Sequence, residues 1–225
     1  MRIKSKHSRS YSPKSSLQLV LLSDTHELHR EVDVPPGDIL IHAGDFTMFS
    51  RSLPAIIDFN DWLAELPHRY KIVVPGNHET FLHTDPSNRA LVSNAAVLIN
   101  EGIEIAGLRI WGSPVTHGSG PAFPMASTED RQKLYARVPK DTEILITHGP
   151  PYGILDLIPG SEIHAGDPEL LRAVTRIKPK LHVFGHVHSA HGIFDTEHTM
   201  FANACLLGPN GDIDSEPTVL RIARR

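Results

Sequence analysis

Leu181-His182-Val183-Phe184-Gly185-His186-Val187-His188 is an apolar run that stops at a glycine and is followed by two histidines one residue apart. A short apolar run bounded by turn residues reads as a buried strand. Histidines just past it lie beyond the strand's carboxyl end. Four other runs end in the same way. They are Leu19-Val20-Leu21-Leu22-Ser23 before Asp24-Thr25-His26, and Ile39-Leu40-Ile41-His42-Ala43-Gly44 before Asp45. The others are Ile72-Val73-Val74-Pro75-Gly76 before Asn77-His78-Glu79, and Ile144-Leu145-Ile146-Thr147 before His148. Continuous apolar strands are buried on both faces, as in parallel or mixed sheets covered by helices. In open α/β sheets ligands bind beyond the strands' carboxyl ends, so the five polar clusters can converge on one cleft.

The rest of the 225-residue chain fits this frame. Hydrophobic content of 40% and charged content of 21% are those of an ordinary globular protein. A net charge of −4 gives no electrostatic case for nucleic-acid or membrane-surface binding. No apolar run approaches the ~20 residues that a spanning helix needs. The one cysteine, Cys205, excludes an internal disulfide and a thiolate-rich zinc site. That suits a reducing compartment. Residues 1–16 are basic, serine-rich and without an acid, and lack the apolar centre of a secretory signal. They read as a solvated, disordered tail, with an organelle transit segment as the second reading. The expected location is cytoplasmic.

From Leu17 the pattern is β-α-β. Strands are expected at 17–23, 38–42 and 70–74. Between the last two lies an amphipathic helix, Pro54 to Leu66, with Ile56, Ile57, Phe59, Leu63 and Leu66 on its apolar side. Residues 79–95 read as loop with a short helix near 88–92. Ala96–Ile99, Ile103–Ala106 and Leu108–Trp111 read as a hairpin or meander, and 113–126 as a long surface loop. A helix is expected over 127–137, with Ser127 as its cap. A strand at 143–147 precedes a loop to Ala165. Asp167-Pro168 opens a helix that runs to about Ile177. Short strands at 181–184, 192–195, 199–202 and 218–222 follow. The expected architecture is an α/β sandwich of mixed sheets between helices, in a single domain over 17–225.

The residue types at the strand ends identify the chemistry. Asp and His without Cys suit borderline to hard divalent ions such as Mn, Fe or Zn. The candidate ligands are Asp24, His26, Asp45, Asn77, His148, His186 and His188. Seven ligands exceed the needs of one ion with an open position. They suit two ions bridged by a carboxylate, which has two oxygens, and Asp45 is the middle one in chain order. Asp24 and His26, like His186 and His188, can face one way on an extended strand end. Gly44, Gly76 and Gly185 each precede a ligand, where glycine permits unusual φ and close backbone approach.

Asp-x-His, Gly-Asp, Gly-Asn-His-Glu, His-Gly-Pro and Gly-His-x-His in this order resemble the calcineurin-like metallophosphoesterase superfamily, over about Leu19 to His188. Several segments look like its metallophosphoesterase-domain-containing (brain protein 239-like) branch. They are 42–47, 59–63, 66–68, 76–79, 147–151 and Asn203-Ala204-Cys205. The resemblance implies a four-layer sandwich of two mixed sheets flanked by helices. It implies a first metal held by Asp24, His26, Asp45 and His188, and a second by Asp45, Asn77, His148 and His186. His78 would be no ligand and would sit over the phosphoryl group.

The expected activity follows from these residues. Two divalent ions outweigh two carboxylates and one hydroxide, so the site stays cationic, which suits a phosphate ester. Two ions ~3.5–4 Å apart can clamp an in-line displacement and acidify a bound water. A metal-bridging hydroxide is then the expected nucleophile, and His78 the general acid for the leaving oxygen. Asn77 and His78 would contact substrate. His164, just before a helix start, is a third candidate phosphate contact. Protein phosphatases of the superfamily carry an arginine soon after Gly-Asp; here Phe46-Thr47-Met48-Phe49-Ser50 stands instead. Small phosphodiesters, cyclic nucleotides among them, are therefore the expected substrates, with Mn the first choice of metal. The alternatives are a phosphomonoesterase and a catalytically weak nucleotide-binding or interaction scaffold. A nuclease is disfavoured by the acidic charge.

An isolated histidine at a strand end is more often structural than ligating. On that ground His42 is read as a hydrogen-bonding support, and His182, His191 and His198 as structural. His29, His68, His83 and His117 read as solvated. Cys205 reads as a packed small residue.

Overall fold

The computed structural model describes residues 16–50, 52–118 and 120–223. The basic N-terminal segment lies outside them apart from Ser16, which is buried and opens the first strand. In chain order the elements are β1 (Ser16–Leu22), β2 (Ile39–His42), α1 (Leu53–Glu65), β3 (Tyr70–Val73), α2 (Thr80–Thr84), β4 (Ala96–Val97), β5 (Glu101–Ile105) and β6 (Leu108–Ser113). Then come β7 (Thr116–His117), β8 (Pro124–Met125), α3 (Thr128–Ala136), β9 (Ile144–Thr147), α4 (Pro168–Ile177), β10 (Leu181–Phe184), β11 (Gly192–Asp195), β12 (Met200–Asn203) and β13 (Thr218–Ala223).

These strands form two main sheets. The first has the order β13-β1-β2-β3-β4, parallel except for β13, which runs antiparallel to β1. The second has the order β11-β12-β10-β9-β6-β5. Its centre is parallel, and its edges β11 and β5 are antiparallel to their neighbours.

Strand periodicity explains the layers. Leu17, Leu19 and Leu21 of β1 point to one face, and Val20 and Leu22 to the other. The first face joins Ile39 and Ile41 of β2, and meets Ile110, Ile144, Ile146, Leu181 and Val183 of the second sheet. The other face packs on Ile56, Phe59, Trp62 and Leu63 of α1. On the far side, Leu134 of α3 and Leu170, Val174 and Ile177 of α4 cover Leu145, Phe184 and Phe201 of the second sheet. The architecture is helix, sheet, sheet, helix, as expected. Both faces of each central strand are buried, which is why their sequences are apolar without alternation.

The helix ends follow their caps. The Ser52 hydroxyl accepts the Ala55 N–H, the Ser127 hydroxyl accepts that of Asp130, and Asp167 accepts that of Glu169.

Four expectations are corrected. Ile57 is exposed, and Trp62 takes its place on the buried face of α1, since i, i+3 and i+7 from Ile56 include Phe59 and Leu63 with Trp62 beside them. Residues 80–84 are helical and 86–91 form a 3₁₀ turn, opened by Asp85 accepting the Ser87 N–H. The three short runs after residue 95 are not one meander: β4 pairs with β3 in the first sheet, and the β5–β6 hairpin starts the second. The 113–126 segment is no plain surface loop, because Val115, Ala122 and Phe123 are buried and β7 pairs with β8.

Candidate metal centre

All seven candidate ligands lie beyond strand ends, where the carboxyl edges of the two sheets meet. The backbone that places them is not extended, as the spacing suggested. Asp24, His26, Asp45 and His186 all have positive φ, at 55°, 40°, 54° and 70°. Four left-handed non-glycine residues in one site are a concentration of strain typical of function. The turns are held by backbone bonds. Asp24 N–H donates to the Gly44 carbonyl (2.8 Å), and His26 N–H to that of Asp45 (3.0 Å). His186 N–H donates to the Asp24 carboxylate at 3.0 Å.

The glycines act mainly through space. Gly76 and Gly185 lack the unusual φ expected of them, but an added Cβ would stand 2.1 Å from Asp45 Oδ1 or from Asp24 Oδ2, respectively. Only a residue without a side chain lets the carboxylates sit there.

Three groups of ligand atoms each fall within 4.8 Å of one another: Asp24, His26 and His188; Asp45, His148 and His186; and His26, Asp45 and His78. Asp45 is the hub. Its Oδ2 lies 3.3 Å from His148 Nε2, 3.7 Å from His26 Nε2 and 3.9 Å from His78 Nε2. Asn77 joins the second group through Oδ1, 2.9 Å from His148 Nε2. His188 Nε2 stands 3.4 Å from Asp24 Oδ1.

The donor set fits divalent cations on two observations. Among the described residues, neither buried ring nitrogen of His26 has a hydrogen-bond partner, a costly state unless something electrophilic meets one of them. His148 commits Nδ1 to the Ala43 carbonyl at 3.0 Å. Its Nε2 therefore faces the Asp45 and Asn77 oxygens, a cluster that calls for a cation. The charges agree. Burial disfavours the His148 imidazolium, yet the Asp45 carboxylate outweighs it and raises the pKa to about 10. Burial opposes ionisation of Asp24, but His188 and His148 hold it well below the usual carboxylate range. Burial lowers His26 and His78, and takes His186 to about 4. Neutral imidazole is the form that ligates metal, so a cation bound here would displace the proton that Asp45 favours on His148 and the one that Asp24 favours on His188.

A shell of buried groups orients these ligands. Glu79, which follows His78 directly, is fully buried. Its carboxylate accepts the N–H groups of Asp45 (2.9 Å), Thr47 (2.9 Å) and Gly76 (2.6 Å), and the Thr47 hydroxyl (2.9 Å). Burial, then the nearby Asp45 charge, raise its pKa to about 7. Glu79 had no role in the reading from sequence, although an acid inside Gly-Asn-His-Glu was its visible signal. His42 supports the site as expected. Its Nδ1 accepts the Gly44 N–H, so Nε2–H donates to the Thr25 hydroxyl at 3.0 Å. The Cys205 thiol is buried against Asp24 and pushed up by burial, in keeping with a packed residue.

A cavity of about 400 Å³ opens over the centre. His26, Asp45, Asn77, His78, His186 and His188 form its floor, and Met48, Leu207, Pro209, Asn210 and Gly211 its rim. Among the described residues, those of the 113–126 segment do not line this cavity. His164 is also misplaced. Its Nδ1 is bonded to the buried Asp156 carboxylate at 2.7 Å, and it is absent from the cavity wall. Asp156 takes it up eight residues away, so it does not reach the cleft. His29 and His68 are buried, not solvated. His29 packs on Phe59 and Trp62 with Nε2 on Asp58, and His68 Nε2 meets the Pro35 carbonyl.

Carboxylate–imidazole groups clustered about Asp45, at the joined edges of a two-sheet sandwich, fit a metal-dependent phosphoesterase. The chain belongs to the calcineurin-like phosphoesterase family, whose model matches residues 17–190. It is 37% identical over 224 residues to a UPF0046 protein of Caenorhabditis elegans, covering 93% of this chain and 76% of that one. It is 34% identical over 237 residues to metallophosphoesterase domain-containing protein 1 of Homo sapiens, covering 92% and 72%. Among solved structures, TT1561 of Thermus thermophilus superposes with a TM-score of 0.56 at 14% identity, over 84% of this chain and 89% of that one. Identity this low speaks for the fold alone. No described helix is long and apolar enough to cross a membrane.

Proposed function

We propose that the protein hydrolyses small phosphodiesters, cyclic nucleotides among them, with two divalent transition-metal ions, Mn first among Mn, Fe and Zn. In this reading Asp24, His26, Asp45 and His188 hold one ion, and Asp45, Asn77, His148 and His186 the other. When bound, the ions supply Lewis-acid activation of water and of the phosphoryl oxygens. The protein's own groups do the rest. The carboxamide of Asn77 and the ring of His78 face the phosphoryl group from the cavity floor. His78 Nε2–H donates to the leaving oxygen as its charge develops, and the imidazolium form, which burial disfavours and the Asp45 carboxylate favours, passes it the proton and returns to neutral imidazole. Residues 17–225 act as one domain, because both sheets supply ligands and share a core. The lone cysteine suits the cytoplasm.

The observation that carries the choice of a diester is the cavity wall: among its described lining residues there is no lysine or arginine. A dianionic monoester asks for more positive charge than a monoanionic diester. Monoesters, linear aryl diesters and cyclic nucleotides assayed side by side with added Mn²⁺ test this. The diester classes should lead in kcat/KM. A preference for monoesters would overturn the substrate class, and no hydrolysis of any ester would leave a binding scaffold.

A further inference from the structure

Among the described residues, His78 has no hydrogen bond that orients its ring. Its Nδ1 is buried without a partner, and its Nε2 is 3.9 Å from Asp45 Oδ2, beyond hydrogen-bond range. A histidine that moves protons is ordinarily oriented by a bond at its other nitrogen. Here packing takes that place. The His26 ring meets the His78 ring edge-on, with centroids 4.4 Å apart at 72°. Phe49 lies flat against it, with centroids 3.8 Å apart at 18°.

Phe49 is not there to bury itself, since it stays 38% exposed. The chain bends sharply to deliver it. Phe49 and Ser50 have φ of 58° and 49°, a left-handed conformation that bulky residues rarely adopt. The loop is then tied to the His78 segment from both sides. Thr80 Oγ1 donates to the Phe49 carbonyl (3.2 Å), and Ser50 Oγ donates to the His78 carbonyl (3.0 Å). His78 N–H in turn donates to Asp45 Oδ1 (2.9 Å). Ring and backbone of His78 are gripped by the same five-residue loop that follows Asp45.

We infer that Phe49 is a positioning residue, whose ring sets the plane of the His78 imidazole over the Asp45 cluster. This rests on the role given to His78 above. The stack restricts rotation about the terminal torsion of His78, which is otherwise broad. Phe49 does not line the cavity, whereas Met48 and His78 do, so it acts on the reaction through His78.

The test places Phe49→Ala, Phe49→Leu and Phe49→Tyr in the wild-type and His78→Ala backgrounds, with bis(4-nitrophenyl) phosphate and Mn²⁺. Phe49→Ala should lower kcat about 10- to 100-fold, with KM within about 2-fold and metal content unchanged. Tyr, which keeps the flat face, should restore kcat; Leu, which keeps only bulk, should not. In the His78→Ala background Phe49→Ala should change nothing further. An equal loss in both backgrounds, or a rise in KM alone, would overturn the role. Activity that needs His78 but ignores Phe49 would overturn this inference and leave the function standing. An enzyme inactive on every ester would overturn both.

Discussion

Oδ2 of Asp45 lies 3.3 Å from Nε2 of His148, although Asp45 follows β2 of one sheet and His148 follows β9 of the other. Neither sheet alone contains the centre. It exists only where the two carboxyl edges are pressed together by the shared core, so its integrity reports on the packing of the sandwich.

His78 sits beside this pair without joining the proposed ligand sets. His78→Ala should cut diester turnover about 10²- to 10⁴-fold, while elemental analysis finds the wild-type metal content. Loss of an ion from this variant would make His78 a ligand.

Glu79 joins the turns that carry Asp45 and Asn77. Glu79→Ala strips the acceptor from three buried N–H groups and one hydroxyl. An unsatisfied buried donor costs about 1–3 kcal/mol, so denaturant unfolding should show a loss of about 3 kcal/mol or more. A surface-like loss under about 0.5 kcal/mol would mean that the turns are held by something else.

Gly76→Ala puts a methyl group where Asp45 Oδ1 stands. The carboxylate must move, and the variant should bind its metals more weakly in a chelator competition while the far-ultraviolet spectrum stays native. Unchanged metal affinity would remove Asp45 from the bridging position.

Much of this was legible in the chain. Strands buried on both faces leave unbroken apolar runs, and the candidate ligands follow them directly, so the sheets and the cluster that the fold brings together could be read at once. What stayed hidden depends on contacts between distant residues. Nothing in Ala96–Val97 and Glu101–Ile105 tells that one pairs with β3 and the other with β6, since both are short strands and strand partners are chosen by the fold. The Phe49 stack and the 207–211 rim come from loops far from the motifs they touch. His164 illustrates the opposite error. A histidine before a helix start resembles an anion site, but Asp156 claims its Nδ1.

Acid should weaken the fold through His182. The Thr147 hydroxyl donates to the Gly149 carbonyl (2.7 Å), so His182 Nε2–H donates to that hydroxyl oxygen (2.8 Å) and the ring is neutral. Burial lowers its pKa from 6.5 to about 3. The unfolded chain takes up a proton as pH falls through 6.5, while the folded ring does not until about 3. The stabilisation is therefore present above pH 6.5 and lost as pH falls towards 3. Urea midpoints should drop between about pH 7.5 and about pH 4.5, and drop less in His182→Gln. Equal drops would exclude His182 as a source.

A dinuclear centre bridged by Asp45 can be counted by elemental analysis of the purified protein beside Asp45→Ala. The wild type should hold close to two transition-metal ions per chain, and Asp45→Ala should lose both the metals and diester hydrolysis. A metal-free wild type, or an Asp45→Ala variant with full metal content and full activity, would contradict it.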